Sequence, residues 1–264
     1  MRSAVLRTLL SLAAAAVAAQ IATSIHLQEV HFTGNMRLEG VDLQECAVDL
    51  KSEVFAGTEW TDHVIGVVKT QCLVDKGYIK PVVKASTQQL PDKNNTHQFR
   101  ITFDIDAGPR YRLGKITFKD NHAISDTKAL RGLFPIKDGS IFDRKTIAIG
   151  LDNLRFAYLD MGYINFTSMP IPTFDDAEKV ASLEIDVDEG KQFCVSAIDI
   201  LGADVQVLDD LRLKPGDVYN QRLVDEFLRK HLPGAKVNDP RIHRALNERN
   251  GTVALTFDFR NPRE

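Results

Sequence analysis

Gly139-Ser140-Ile141-Phe142-Asp143 decides the fold, because its pattern also occurs at Gly57-Thr58-Glu59-Trp60-Thr61 and Gly216-Asp217-Val218-Tyr219-Asn220. Each copy has a glycine, an aromatic residue three places on, and then a residue suited to cap a helix: Thr61, Asp143 or Asn220. A β-branched aliphatic follows four residues after each cap, at Ile65, Ile147 and Val224. An aromatic before the cap packing on the fourth helical residue is a hydrophobic staple, which fixes how the chain enters the helix. Three copies at intervals of roughly 80 residues mark an internal repeat of small modules. Function is therefore expected from an array, not from one catalytic cleft.

The flanks of the modules repeat too. Phe99, Ile101, Phe103 and Ile105 alternate with polar residues and lead into Asp106-Ala107-Gly108. Leu183, Ile185 and Val187 do so before Asp188-Glu189-Gly190, and Val253, Leu255, Phe257 and Phe259 repeat the alternation. Each reads as a half-buried strand of period two. The module starts match at His31-Phe32-Thr33-Gly34-Asn35, Thr117-Phe118-Lys119-Asp120-Asn121 and Asp199-Ile200-Leu201-Gly202-Ala203-Asp204.

Within a module the order reads strand, helix, helix, strand, strand. In the second, Tyr111 to Phe118 is a strand, Ser125 caps a first helix, and Asp143 caps a second. Ile147, Leu151, Leu154 and Tyr158 then form one apolar stripe, and Gly162 is placed to end that helix left-handed. The fold class is α+β: three tandem β-α-α-β-β modules, each a three-stranded mixed sheet covered on one face by two helices. The expected divisions are 24–108, 109–191 and a shortened third module, 192–264.

Residues 1–19 read as a secretory signal peptide, with Arg2 and Arg7 before an apolar stretch and Val17-Ala18-Ala19 as small residues for cleavage. The whole chain carries a net charge of −3, and removing the signal leaves it more acidic still. That balance offers no electrostatic footprint for nucleic acid or anionic lipid. Export permits a disulfide. Cys46 and Cys72 fall on the two predicted helices of the first module, and whether they pair turns on helical phase and distance. Cys194 reads as a small buried hydrophobe.

Phe118-x-x-Asn121, Gly139-x-x-Phe142-Asp143, Tyr158-x-x-x-Gly162-Tyr163-Ile164 and Asp186-x-Asp188-Glu189-Gly190 together resemble the POTRA domain. This is the polypeptide-transport-associated module of the Omp85 outer-membrane superfamily. Phe32-x-Gly34-Asn35 and Lys76-Gly77-Tyr78-Ile79 extend the resemblance to the first module. The third departs from it, with a compressed first helix and His231-Leu232-Pro233-Gly234 replacing the Gly-Tyr ending, so its second strand is less well defined.

The resemblance implies a second strand left as an open edge, to which an extended client adds by main-chain hydrogen bonds. Here that strand is expected over Ile79 to Ser86 and Ile164 to Ser168, with Ile79, Val82, Lys84, Ser86, Ile164, Phe166 and Ser168 as partner-binding positions. The implied partners are an outer-membrane β-barrel protein or unfolded outer-membrane precursors, met in the periplasm, with membrane contact only through them. The family usually continues into a β-barrel; only Asn261-Pro262-Arg263-Glu264 follow the third module, so a free-standing accessory is expected. The alternative is a structural spacer, or the truncated arm of a barrel protein, that binds no client.

An enzyme is disfavoured. The seven histidines are scattered, and no Gly-x-Ser-x-Gly, phosphate loop or Cys-x-x-Cys occurs. No metal, cofactor, catalytic residue, small-molecule substrate or nucleic acid is expected. Asp175-Asp176 and Asp186-x-Asp188-Glu189 read as solvated turn carboxylates, and Asn94-Asn95-Thr96 as a chance match to a glycosylation acceptor.

Overall fold

The computed structural model describes residues 24–35, 38–232 and 241–260; the signal-peptide expectation for 1–19 lies outside them. In the first module β1 (Ile25–Gly34) is followed by α1 (Leu43–Ser52) and α2 (Trp60–Val67). The second helix runs on through a π-helical turn, Val68–Leu73, and a 3-10 turn, Val74–Lys76, before β2 (Val82–Lys93) and β3 (Thr96–Asp106). The second module repeats the order with β4 (Arg112–Lys119), α3 (Thr127–Gly132), α4 (Arg144–Leu159), β5 (Thr167–Asp175) and β6 (Val180–Asp188). The third has β7 (Cys194–Leu201), a 3-10 turn (Val205–Asp210) in place of a first helix, α5 (Gln221–His231), β8 (Ile242–Asn247) and β9 (Thr252–Asp258).

Each sheet places its last strand in the middle, in the orders β1-β3-β2, β4-β6-β5 and β7-β9-β8. The first strand of each module pairs parallel to the central one and the second strand pairs antiparallel. All three parallel ladders carry an irregularity early in the first strand, at Leu27/Glu29, Leu113/Ile116 and Val195/Ala197. Three separate cores result. Leu50, Val64, Ile101 and Phe103 lie in the first, Leu130, Leu154, Tyr158 and Ile185 in the second, and Tyr219, Val224, Leu255 and Phe257 in the third.

The repeated motif does its work in two of its three copies. Ile141 bridges to Arg112 and Val218 to Cys194, which draws the chain onto the first strand before the helix begins. Gly139 and Gly216 adopt left-handed φ of 80° and 97°, and their amides donate to Leu113 and Val195. Asp143 and Asn220 then cap α4 and α5, with Phe142 and Tyr219 buried beside Ile147 and Val224. The first copy differs. Its bridging residue is Phe55, opposite Ile25, so Gly57 follows the bridge instead of preceding it. Trp60 is already the first residue of α2, Glu59 stands at the cap without a side-chain bond, and Val64, not Ile65, is fully buried. Thr61 therefore caps nothing. The local pattern recurs there, shifted along the fold. In α3 the cap is Asp126, whose carboxylate accepts from the amides of Lys128 and Ala129, rather than Ser125.

Asn94 and Asn95, with φ of 52° and 58°, form the tight turn of the β2–β3 hairpin. Two consecutive positive φ values are what a two-residue hairpin turn requires, and asparagine tolerates them. Asp186 and Asp188 fall in β6. Glu189 accepts from the amide of Ala123 at 2.8 Å and the hydroxyl of Tyr158 at 3.1 Å, so it ties two loops together instead of standing solvated. Burial, with Glu189 alongside, pushes the Tyr158 hydroxyl well above the usual tyrosine range.

Gly150 lies in α4 under the ring of Phe134, where an added Cβ would sit 2.1 Å from a ring carbon. On an open helix Gly→Ala gains about 1 kcal/mol. Here the methyl overpacks a buried aromatic, which typically costs about 1–3 kcal/mol. Gly150→Ala is expected to lower the chain's thermal unfolding midpoint, and a raised midpoint would show that Phe134 moves aside freely.

Candidate partner-binding edges and the joints between modules

A sheet ordered first-third-second leaves the second strand with one side unpaired. That side presents main-chain donors and acceptors and no catalytic group. Among the described residues no cluster of His, Cys, Asp and Glu is arranged to hold a metal ion. No described helix is long and apolar enough to cross a membrane. The candidate surface is therefore the set of edges β2, β5 and β8.

The second strands begin later than the sequence suggests. β2 starts at Val82 and β5 at Thr167. Val82, Lys84 and Ser86 stand on β2 and Ser168 on β5, whereas Ile79, Ile164 and Phe166 lie before the edges. Ile79 packs against the core of the second module and Ile164 against that of the third. Phe166 is buried, stacked on Tyr158 with ring centroids 4.3 Å apart. The misreading has a simple cause: alternating apolar residues in a connection look like a strand when they are shared between neighbouring cores.

The edges are not equivalent. β5 contains Pro170 and Pro172, paired with Ile185 and Leu183 in an unbroken register. Proline has no amide hydrogen, so the ladder survives only if both proline nitrogens face away from β6. Alternate residues share a direction, so Ser168, Pro170, Pro172 and Phe174 face outward and only Ser168 and Phe174 bring a donor. β2 has no proline between Val82 and Leu90 and is the longest edge, at 12 residues. Its parity follows from the other modules. Thr167 opposes Asp188, Arg241 accepts the amide of Asp258, and Val82 opposes Asp106. All three aspartates also accept the amide two residues on. Val83, Ala85, Thr87 and Gln89 accordingly turn their amides and carbonyls outward.

The joints repeat as closely as the strands. At the first, Gly77 takes φ of 94° and its carbonyl accepts the amide of Tyr111 at 2.8 Å; at the second, Gly162 takes 88° and accepts from Phe193 at 2.9 Å. A Cβ on either would lie under 3 Å from the bridging side chain of the next module, Ile141 or Val218. Only glycine allows that approach. Asp75 is 2% exposed and accepts from Arg144 Nε at 2.6 Å, with Lys145 Nζ 3.7 Å away. Asp160 accepts the amide of Arg222 at 2.8 Å, and its carbonyl accepts from Asn220. A cleft of about 380 Å³ opens beside Asp75, between Lys76, Arg110, Lys137 and Thr146.

Hairpin tips close the joints on the edge side. Asp176 accepts from Lys80 at 2.5 Å and from the Tyr111 hydroxyl at 2.5 Å, while Lys80 lies over the rings of Tyr111 and Phe174. Lys80 and the Tyr111 hydroxyl hold the Asp176 carboxyl below the usual carboxylate range. At the second joint Asn165 donates to Glu248 at 2.5 Å. Cys46 and Cys72 are joined, linking α1 to the π-helical turn. Cys194 is half-buried at the start of β7, not fully buried as the sequence suggests.

Residues 111–190 match the model of the POTRA family, the surface antigen variable number repeat. The second module is a POTRA domain. The whole array has the same fold: the crystal structure of BamA POTRA3-5 from Haemophilus influenzae aligns with 93% of this chain and all of its own, at a TM-score of 0.64 and 20% identity. A Treponema pallidum (strain Nichols) protein named "Putative outer membrane protein assembly factor" is 29% identical over 161 residues. That match takes in 59% of this chain and 19% of the relative, so the chain spans about a fifth of the length of the curated relative it matches.

Proposed function

We propose that this chain is a periplasmic POTRA array that serves outer-membrane protein assembly or transport, holding extended segments of clients or of a partner barrel by main-chain pairing. The unobstructed β2 edge carries the reading: nine residues from Val82 to Leu90 without proline, every outward position able to donate and accept. Pairing of this kind reads backbone and little sequence, which suits a protein that meets many unfolded polypeptides. The Cys46–Cys72 bond fits an oxidising compartment, and so does the exported N-terminus read at 1–19. The assembly-factor relative supports the same setting.

A spacer that only positions other parts is the rival, favoured at the second module by the two prolines on β5. The two readings separate on β2. Thr87→Pro removes one outward donor while leaving the β2–β3 ladder intact. With a dye-labelled peptide of alternating threonine and valine, flanked by lysines, the substitution is expected to weaken binding to the full chain about tenfold, since a lost edge pair costs about 1–1.5 kcal/mol. Its thermal midpoint should stay put. Equal affinity for both proteins, with the fold intact, would favour the spacer.

A further inference from the structure

The joints connect the edges as well as the cores. Lys80 lies two residues before β2 begins and Asp176 one residue after β5 ends, and the two are bonded. Asn165 and Glu248 stand at the same offsets, two before β5 and one after β8, and are bonded in turn. The end of β8 therefore abuts the start of β5, and the end of β5 abuts the start of β2. Each edge is antiparallel to its central strand. The three edges thus follow one another head to tail with a single polarity, β8 to β5 to β2.

We propose that the edges form one track, occupied by a single extended polypeptide that pairs with β2 and crosses the Lys80–Asp176 joint onto β5. This rests on the pairing function above and adds to it a length and a direction. The occupant is fixed by the chemistry of the edge: an outward row of amides and carbonyls is satisfied by another backbone in extended form. The two segments of the track have different tasks. β2 donates and accepts throughout, so it holds the client. β5 offers carbonyls at Ser168, Pro170, Pro172 and Phe174 but few donors, so it adds little alone. It gains through effective concentration once the neighbouring stretch is held. Met169 and Ile171, 60% and 37% exposed, present apolar side chains to alternate residues of the client. A client antiparallel to β2 reaches β5 with its C-terminal part, and a parallel client with its N-terminal part.

The test is the dependence of affinity on length, measured on the full chain with the alternating threonine–valine peptides. One peptide of about 10 residues covers β2 alone, and one of about 22 covers β2 and β5 at the rise of an extended chain. A third, of the longer length with prolines through one half, controls for extra registers on β2. The long peptide is expected to bind about tenfold tighter than both others. Lys80→Glu, which sets two carboxylates against each other at the joint, is expected to bring the long peptide down to the affinity of the short one. Equal affinities across the three peptides, or a length gain indifferent to Lys80→Glu, would overturn the track while leaving pairing at β2 in place. Failure of every peptide to bind would remove the pairing function and the track together.

Discussion

Replacing Cys46 and Cys72 together by alanine is expected to cost the first module about 3.5 kcal/mol, from the loop-closure entropy of a crosslink spanning 26 residues. Small modules of this size are individually marginal, and a whole domain has only about 5–15 kcal/mol in reserve. The loss therefore takes away much of what keeps this module folded. The crosslink also holds α1 against the π-helical turn, the least regular part of the second helix. The protein carries its own reporter for this: Trp60 is the sole tryptophan and is buried in the first core. On thermal unfolding the oxidised parent is expected to show one late change in tryptophan emission. The double variant, or the parent under reductant, should show that change many degrees earlier, while far-ultraviolet dichroism from the other modules persists. Emission transitions that coincide in the two proteins would mean that packing alone holds α1 to α2.

The repeat, the sequence of strands and helices along a module and the POTRA resemblance were legible because they are written in short-range patterns. Alternation marks β3, β6 and β9, and the Gly-aromatic-cap motif marks α4 and α5. What stayed hidden depends on distance between modules. Ile79 and Ile164 alternate like strand residues, but each belongs to its neighbour's core, which a single module's pattern cannot show. Gly162 reads as a helix end, which it is, and Gly77 proves to end the second helix of the first module in the same way. Their closeness to Ile141 and Val218 arises only once the next module is docked. The first motif copy misled for a related reason. Gly57 and Trp60 have the right spacing, but the bridge had already formed at Phe55. The strand expected from sequence stops at Ser168, short of Pro170 and Pro172, so the loss of donors along this edge shows only once β5 is seen to run on to Asp175.

The donors missing from β5 make the three edges unequal. Three equivalent edges would make three independent grips, and the affinity of the whole would scale with their number. On the proposed track, unequal edges joined head to tail would make one grip with an extension, and the length of client available to cross the joint would set its strength. The joint must then hold its angle, because a gap opened between β5 and β2 would break the register of anything lying across it. On that proposal, stiffness at Gly77, Lys80 and Asp75 is a condition of holding a client as well as of the fold.

Asp75 is the buried charge of that joint, and Arg144→Met is expected to cost about 3 kcal/mol, the low end for stripping a buried charge of its partner. The low end applies because Arg144 is itself half exposed and Lys145 stands within 3.7 Å to compensate in part. The carboxylate sits almost wholly inside the joint, with Oδ1 on the guanidinium and Oδ2 without a hydrogen bond among the described residues. Removing the arginine leaves a desolvated charge that must recruit Lys145, draw in water or pull the two modules apart. Denaturant unfolding of the full chain, followed through Trp60 for the first module and far-ultraviolet dichroism for the rest, separates these responses. The expected result is a lower midpoint with the first two modules unfolding apart. Asp75→Leu combined with Arg144→Met should restore most of the loss, because an apolar pair has no charge to desolvate. If the double variant is as unstable as Arg144→Met alone, the charge is not what makes the joint rigid. Docking would then fall to the apolar contact between Gly77 and Ile141, and the ion pair would serve to orient modules that already adhere.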